Sequence, residues 1–122
     1  MARILIIDNV RDTRRSLASA LQAKGHETHE AADGKDAIEN LRTHNYDLLI
    51  TEVLLTEIDA PKVLDYLEAQ PHRPPVIALS GGNSQIPAEM ALLMVKPQVA
   101  ATFARPVADA EVVAQAEKLL AA

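Results

Sequence analysis

Ile4-Leu5-Ile6-Ile7-Asp8-Asn9 decides how this chain is read: four apolar residues in a row, three of them isoleucine, break off into an acid and an amide. A strand with no polar alternation is buried on both faces, which calls for a parallel sheet covered by helices on each side. Working outward, strand-length apolar runs alternate with amphipathic stretches five times. Arg3 to Ile7 is the first strand, and Asp12 or Thr13 is the expected N-cap of a helix that carries Leu17, Ala20, Leu21 and Ala23 until Gly25 stops it. Glu27 to Ala31 reads as a short, more polar edge strand, Asp33-Gly34 as a turn, and Ala37, Ile38 and Leu41 as the stripe of the second helix. Leu48-Leu49-Ile50 is the third strand, followed by a helix from near Pro61 to before Pro71. Pro75 to Leu79 is the fourth strand, Gly81-Gly82 leads to a helix between about Ile86 and Val95, Ala101 to Ala104 is the fifth strand, and Val107 to Leu120 the last helix.

Strands joined by helices need crossover connections, so the expected fold is an α/β sandwich with ligands bound beyond the carboxyl ends of the strands if the sheet is doubly wound. The 122 residues suit one domain over 1–122, and 48% hydrophobic with 24% charged residues argues against a disordered or coiled-coil chain. Twelve Lys and Arg against 17 Asp and Glu give a net charge of −5, with no basic cluster longer than Arg14-Arg15, so direct nucleic-acid binding and anionic membrane surfaces are excluded as expectations. Absence of cysteine removes disulfides and thiolate chemistry, and the opening apolar run is too short for a signal or a span, which reads as a cytoplasmic chain.

Polar groups gather where the strands end: Asp8 and Asn9, Glu52, Ser80, then Arg105-Pro106. Two carboxylates, an amide, a hydroxyl and a guanidinium at one rim bind either a hard cation with a phosphoryl group or one another. At these residues the sequence resembles the response-regulator receiver domain of two-component signalling. The likeness rests on Ile4 to Asn9, Ala31 to Ala37, Tyr46 to Glu52, Pro75 to Ser80 and Thr102 to Pro106. It implies a five-stranded parallel sheet in order 2-1-3-4-5, flavodoxin-like, with helices on both faces.

The resemblance also implies a phosphorylation site, and this chain departs from it. The family has two adjacent acids after the first strand, which hold Mg²⁺; here Asp8 is followed by Asn9. Its phospho-accepting Asp is replaced by Glu52, its Met-Pro and following Gly by Leu55-Thr56 and Ala60, and its Lys-Pro by Arg105-Pro106, where Pro106 matches the cis-proline position. Among the polar side chains of the pocket, only Asp8 and the switch hydroxyl, Ser80, match cleanly. Glu52 reaches about 1.5 Å farther than Asp, and errors of about 1 Å cost roughly a hundredfold in reactions that depend on positioning. With one acid fewer, Asp8 and Glu52 would hold Mg²⁺ weakly at best, so no cofactor is required. Glu52 is expected to push its charge toward the phosphoryl space as a partial mimic, and Arg105 to grip Glu52 or Asp8 through two parallel bonds in a metal-free clamp.

The implied function is an atypical receiver, or pseudo-receiver, that works without phosphorylation and without enzymatic activity as a protein-interaction module. Its implied partner is a histidine kinase or other signalling protein, with a homodimer allowed. Because the chain ends after the last helix, output is expected through a partner's surface, on the side of the last strand and last two helices. Two alternatives stay open: a phosphorylatable receiver exchanging phosphoryl groups with a kinase or phosphotransferase, and a small nucleotide- or flavin-binding enzyme, against which the glycine-free turn Asp8 to Asp12 argues. Phe103 is expected in the core, Thr102 stands where many receivers carry a switch aromatic, and His26, His29, His44 and His72 read as solvated. Gly81-Gly82 reads as a plain loop, and Lys96-Pro97 leaves too little chain before the fifth strand to serve as the Lys-Pro pair.

Overall fold

The computed structural model describes residues 1–122. Five strands, β1 (Arg3–Ile7), β2 (Glu27–Ala31), β3 (Leu48–Glu52), β4 (Val76–Ser80) and β5 (Ala101–Ala104), form one parallel sheet in order β2-β1-β3-β4-β5. Between and after them run α1 (Arg11–Gln22), α2 (Gly34–Thr43), α3 (Ala60–Glu68), α4 (Ala88–Leu93) and α5 (Asp109–Ala121). The order reverses next to β1, so the ends of β1 and β3 border the crevice in which such sheets bind ligands.

The unbroken apolar runs explain the two cores. Alternate residues of one strand point to opposite faces, and Leu5, Ile7, Leu49, Val76 and Ala78 pack under α2, α3 and α4 with Val63, Leu64 and Leu92. Ile4, Ile6, Leu48, Ile50, Ile77 and Leu79 pack under α1 and α5 with Leu17, Leu21, Val112 and Val113. Phe103 is half-buried at the margin of this second core, with Thr102 exposed on the other face.

Several local expectations are corrected. α1 starts at Arg11 behind Val10, and neither Asp12 nor Thr13 is its N-cap; the Thr13 hydroxyl is drawn instead to Asp8 Oδ2 and the Val10 carbonyl, at 2.9 and 3.1 Å. Asp33-Gly34 is not a free turn: Asp33 caps α2 by accepting the Asp36 N–H at 2.8 Å, and Gly34 is the first residue of the helix. β3 and β4 run on to Glu52 and Ser80, so the site residues are held in the sheet itself. α4 is shorter than Ile86–Val95, because the chain tightens into a single 3-10 turn at Lys96–Gln98.

Two histidines are not solvated. The side chain of His26 is 7% exposed; its Nδ1 accepts the Ala2 N–H at 3.1 Å, so Nε2 carries the hydrogen and donates to Glu117 at 3.0 Å. His29 joins Tyr46 Oη (2.6 Å) and Glu27 (2.8 Å). Its hydrogen bond lowers the Glu27 carboxyl, while burial pushes the Tyr46 hydroxyl up to about 12.

Candidate functional site

β1 delivers Asp8 to the rim of the sheet 2% exposed, which demands that every carboxylate oxygen find a partner. They do: Oδ1 accepts the Val10 N–H at 3.0 Å in a turn that opens α1, Oδ2 accepts the Thr13 hydroxyl at 2.9 Å, and Oδ2 also pairs with Arg105 Nη1 at 2.9 Å. Arg14 adds a brace from outside, donating from Nη1 to the Asp8 carbonyl at 2.8 Å and from Nε to Glu30 at 2.9 Å. Thr13 and Arg14 were not singled out as site residues from sequence. The signal available was their place in the first turn after the strand-end acid.

At the end of β3, Glu52 keeps its carboxylate at the rim among Ser80, Arg105 and the start of the following loop. The extra methylene lets the side chain fold back, so that Oε2 accepts the N–H groups of Val53 (2.8 Å) and Leu54 (3.1 Å). Burial raises the Glu52 carboxyl above its usual range, opposed by the Leu54 N–H, the nearby Ser80 hydroxyl and the Arg105 guanidinium. Ser80 itself is fully buried, and its Oγ accepts the Gly82 N–H at 3.1 Å.

Arg105 makes no parallel fork. One nitrogen, Nη1, stands 2.9 Å from Asp8 Oδ2 and 3.6 Å from Glu52 Oε1, bridging the two acids from a side chain 21% exposed. The strand holds it in place, since its N–H donates to the Ser80 carbonyl at 2.8 Å, and the following Arg105–Pro106 peptide is cis.

Asn9 turns sideways out of the cluster. Its Nδ2 donates to the Ala32 carbonyl at 2.8 Å and to Thr56 Oγ1 at 3.0 Å; a carbonyl partner fixes which end of the amide carries the hydrogens. Two departures from the family pattern, Asn9 and Thr56, are therefore partners of each other across the rim.

This donor set does not fit Mg²⁺. Such an ion asks for near-octahedral oxygen ligands at about 2.0–2.1 Å, whereas both Asp8 oxygens and Glu52 Oε2 are committed, Asn9 brings no charge, and a guanidinium already stands between the two acids. No three His, Asp or Glu side chains stand as a metal-ligand group anywhere in the chain.

Residues 4–117 match the family described as the response regulator receiver domain. The chain belongs to this family. Curated relatives include the gliding motility regulatory protein of Myxococcus xanthus, 32% identical over 80 residues that make up 64% of this chain and 10% of that protein. The regulatory protein AtoC of Escherichia coli is 32% identical over 78 residues, 64% of this chain and 17% of AtoC; the transcriptional regulatory protein PcoR of Escherichia coli is 30% identical over 84 residues, 69% and 37%. The matched region thus spans well under half the length of each of these relatives. Among solved structures, the receiver domain of the Francisella response regulator 1452 superposes with a TM-score of 0.85 over 99% of this chain and 98% of that one at 23% identity, which bears on the fold alone. NtrX from Brucella abortus, solved with ADP, gives 0.84 over 98% of this chain and 27% of that one at 25% identity. This receiver is thus a module of two-component signal transduction, a signalling fold, and no helix in it is long and apolar enough to cross a membrane.

Proposed function

We propose that this receiver works without phosphorylation, as a non-enzymatic interaction module over residues 1–122 whose acid pocket is closed by its own arginine. The observation that carries the reading is the bridge of Arg105 Nη1 between Asp8 and Glu52, at 2.9 and 3.6 Å. A phosphoryl-accepting carboxylate needs a free oxygen in line with phosphorus and a cation to gather the phosphoryl oxygens. Here Glu52 Oε2 is held by two backbone N–H groups, Oε1 faces the guanidinium, and the positive charge belongs to the protein. The pocket supplies its own counter-ion, so neither Mg²⁺ nor another cofactor is needed to hold its shape. A cytoplasmic location and a histidine kinase or other signalling protein as partner belong to the same reading.

The test is intact mass after incubation with Mg²⁺ and acetyl phosphate. No adduct is expected, whereas a stoichiometric phosphoryl increment mapped to Glu52 overturns the reading in favour of a phosphorylatable receiver.

A further inference from the structure

A cavity of about 180 Å³ opens at the end of the sheet away from the acid cluster, between the C-terminal ends of α2 and α3 and the chain that enters β3 and β4. Leu41 and Leu67 line it together with Tyr46 and Tyr66, and Pro71 and Pro74 close it from the α3–β4 connection. Prolines fix their own φ, and His72 in the same connection donates to the Tyr46 carbonyl at 2.6 Å, so this wall is stiff and formed in advance. A cavity of about 150 Å³ is enough to hold benzene. The space therefore fits one six-membered ring with a small substituent.

The polar atoms around it say which ring. His72 must donate from Nε2, because a carbonyl only accepts, so its neutral imidazole has a bare Nδ1. Thr43 spends its one hydroxyl hydrogen on the carbonyl of Glu39 or Asn40, at 3.1 and 3.3 Å. At 3.0 Å it therefore accepts from His44 Nδ1, which leaves His44 Nε2 bare. Gln70 gives Nε2 to the Tyr66 carbonyl at 3.1 Å and keeps Oε1 as an acceptor. All three side chains line the cavity, and each has turned an N–H toward the protein. The last-turn carbonyls of α2 and α3 add partial negative charge, which also favours a donor. A charged ammonium finds no counter-ion, because no Asp or Glu lines the cavity, and the one fixed cation, Arg42, stands 3.5 Å from Glu39.

We propose that this cavity is a binding site for a small neutral aromatic amine, a single planar ring whose N–H groups find acceptors in His44 Nε2, His72 Nδ1 and Gln70 Oε1. The site lies at the opposite end of β3 from Glu52 and calls for no phosphoryl chemistry.

The test is titration of the full chain with aniline, toluene and benzoate at about pH 8, above the usual imidazole range, followed by the backbone amide signals in NMR. Aniline is expected to bind with a dissociation constant in the millimolar range. It shifts the amides of His44, Asn45, Gln70 and His72 in concert and leaves those of Asp8, Glu52 and Arg105 in place. Toluene has the same shape without a donor, and benzoate brings only acceptors, so each binds at least about tenfold more weakly. His44→Ala, at an exposed position, is expected to weaken aniline about fivefold while leaving toluene and the circular dichroism spectrum unchanged. The proposal is overturned if aniline gives no saturable shift at these amides, or if toluene or benzoate binds as tightly as aniline. It is equally overturned if His44→Ala keeps aniline undiminished or loses aniline and toluene alike.

Discussion

Glu52 shows how one methylene redirects a site. The longer side chain exchanges reach toward solvent for two backbone N–H groups, and the site then has a carboxylate that burial disfavours as an anion and that Arg105 and the N–H groups favour. A carboxyl raised in the folded state binds its proton more tightly there than in the unfolded chain. Stability is therefore lost as pH rises from about the ordinary value of 4.5 through the folded one, and the loss persists above it. Glu52→Gln keeps an oxygen for Val53 and Leu54 but removes the charge, and Arg105 retains Asp8. The expected outcome is that the variant's melting temperature relative to wild type increases between about pH 4 and about pH 7; a difference that shrinks with pH means that Arg105 outweighs burial. The positions of Asp8, Glu52, Ser80 and Arg105 at one rim were legible in the sequence, because each ends or follows a strand-length run. Where each oxygen points was not, because that depends on which group across the rim claims it: Thr13, Arg105 and the Val10 N–H for Asp8, and the chain's own next two amides for Glu52.

Elements were legible wherever periodicity is internal to the segment, as in the strands and in α1, α2, α3 and α5. They blurred where a distant partner intervenes. Thr13 has the chemistry of a cap but is taken by Asp8, and His26 looked solvated because its partner Glu117 lies 91 residues away. α4 read too long because Met94 and Val95 continue its apolar pattern while the backbone tightens toward the 3-10 turn. The start of α2 shows the same limit. Asp33-Gly34 is a common turn pair, yet the glycine is required by contact: a Cβ at Gly34 would stand 1.7 Å from the Ile58 carbonyl oxygen of the β3–α3 loop. Gly25 is the contrast, with a φ of +90° and nothing within 4 Å of an added Cβ. Gly34→Ala is expected to cost about 2 kcal/mol or more, since backbone must move, and Gly25→Ala about 1 kcal/mol for the left-handed conformation alone. Urea unfolding checks both; equal losses mean that the β3–α3 loop yields freely and does not lock α2.

At the scale of the whole molecule, the receiver scaffold is intact and its rim is held by pairs of residues. Arg105 answers the two acids, and Thr56 answers Asn9. Pairs constrain reversal: restoring family residues one at a time leaves their partners in place, and coupled sites do not add. Asn9→Asp, Glu52→Asp and Arg105→Lys together return charge, reach and cation shape, but the new carboxylate at position 9 meets the Ala32 carbonyl where an amide had donated. The Thr56 hydroxyl can then turn to donate to that carboxylate and hold it beside the rim, away from Glu52's position. Asn9→Asp alone should therefore cost about 1–3 kcal/mol of stability. Adding Thr56→Pro removes the tether, and the Thr56 N–H makes no backbone hydrogen bond that proline would forfeit. We expect the four changes together to bind Mg²⁺ several-fold more tightly than the three, measured by titration calorimetry, and to gain a Mg²⁺-dependent phosphoryl mass increment at position 52 with acetyl phosphate. Equal Mg²⁺ affinity in the two variants means that the Asn9–Thr56 pair is not what holds the metal out, and attention then passes to Ala60, fully buried at the start of α3, where the family has glycine.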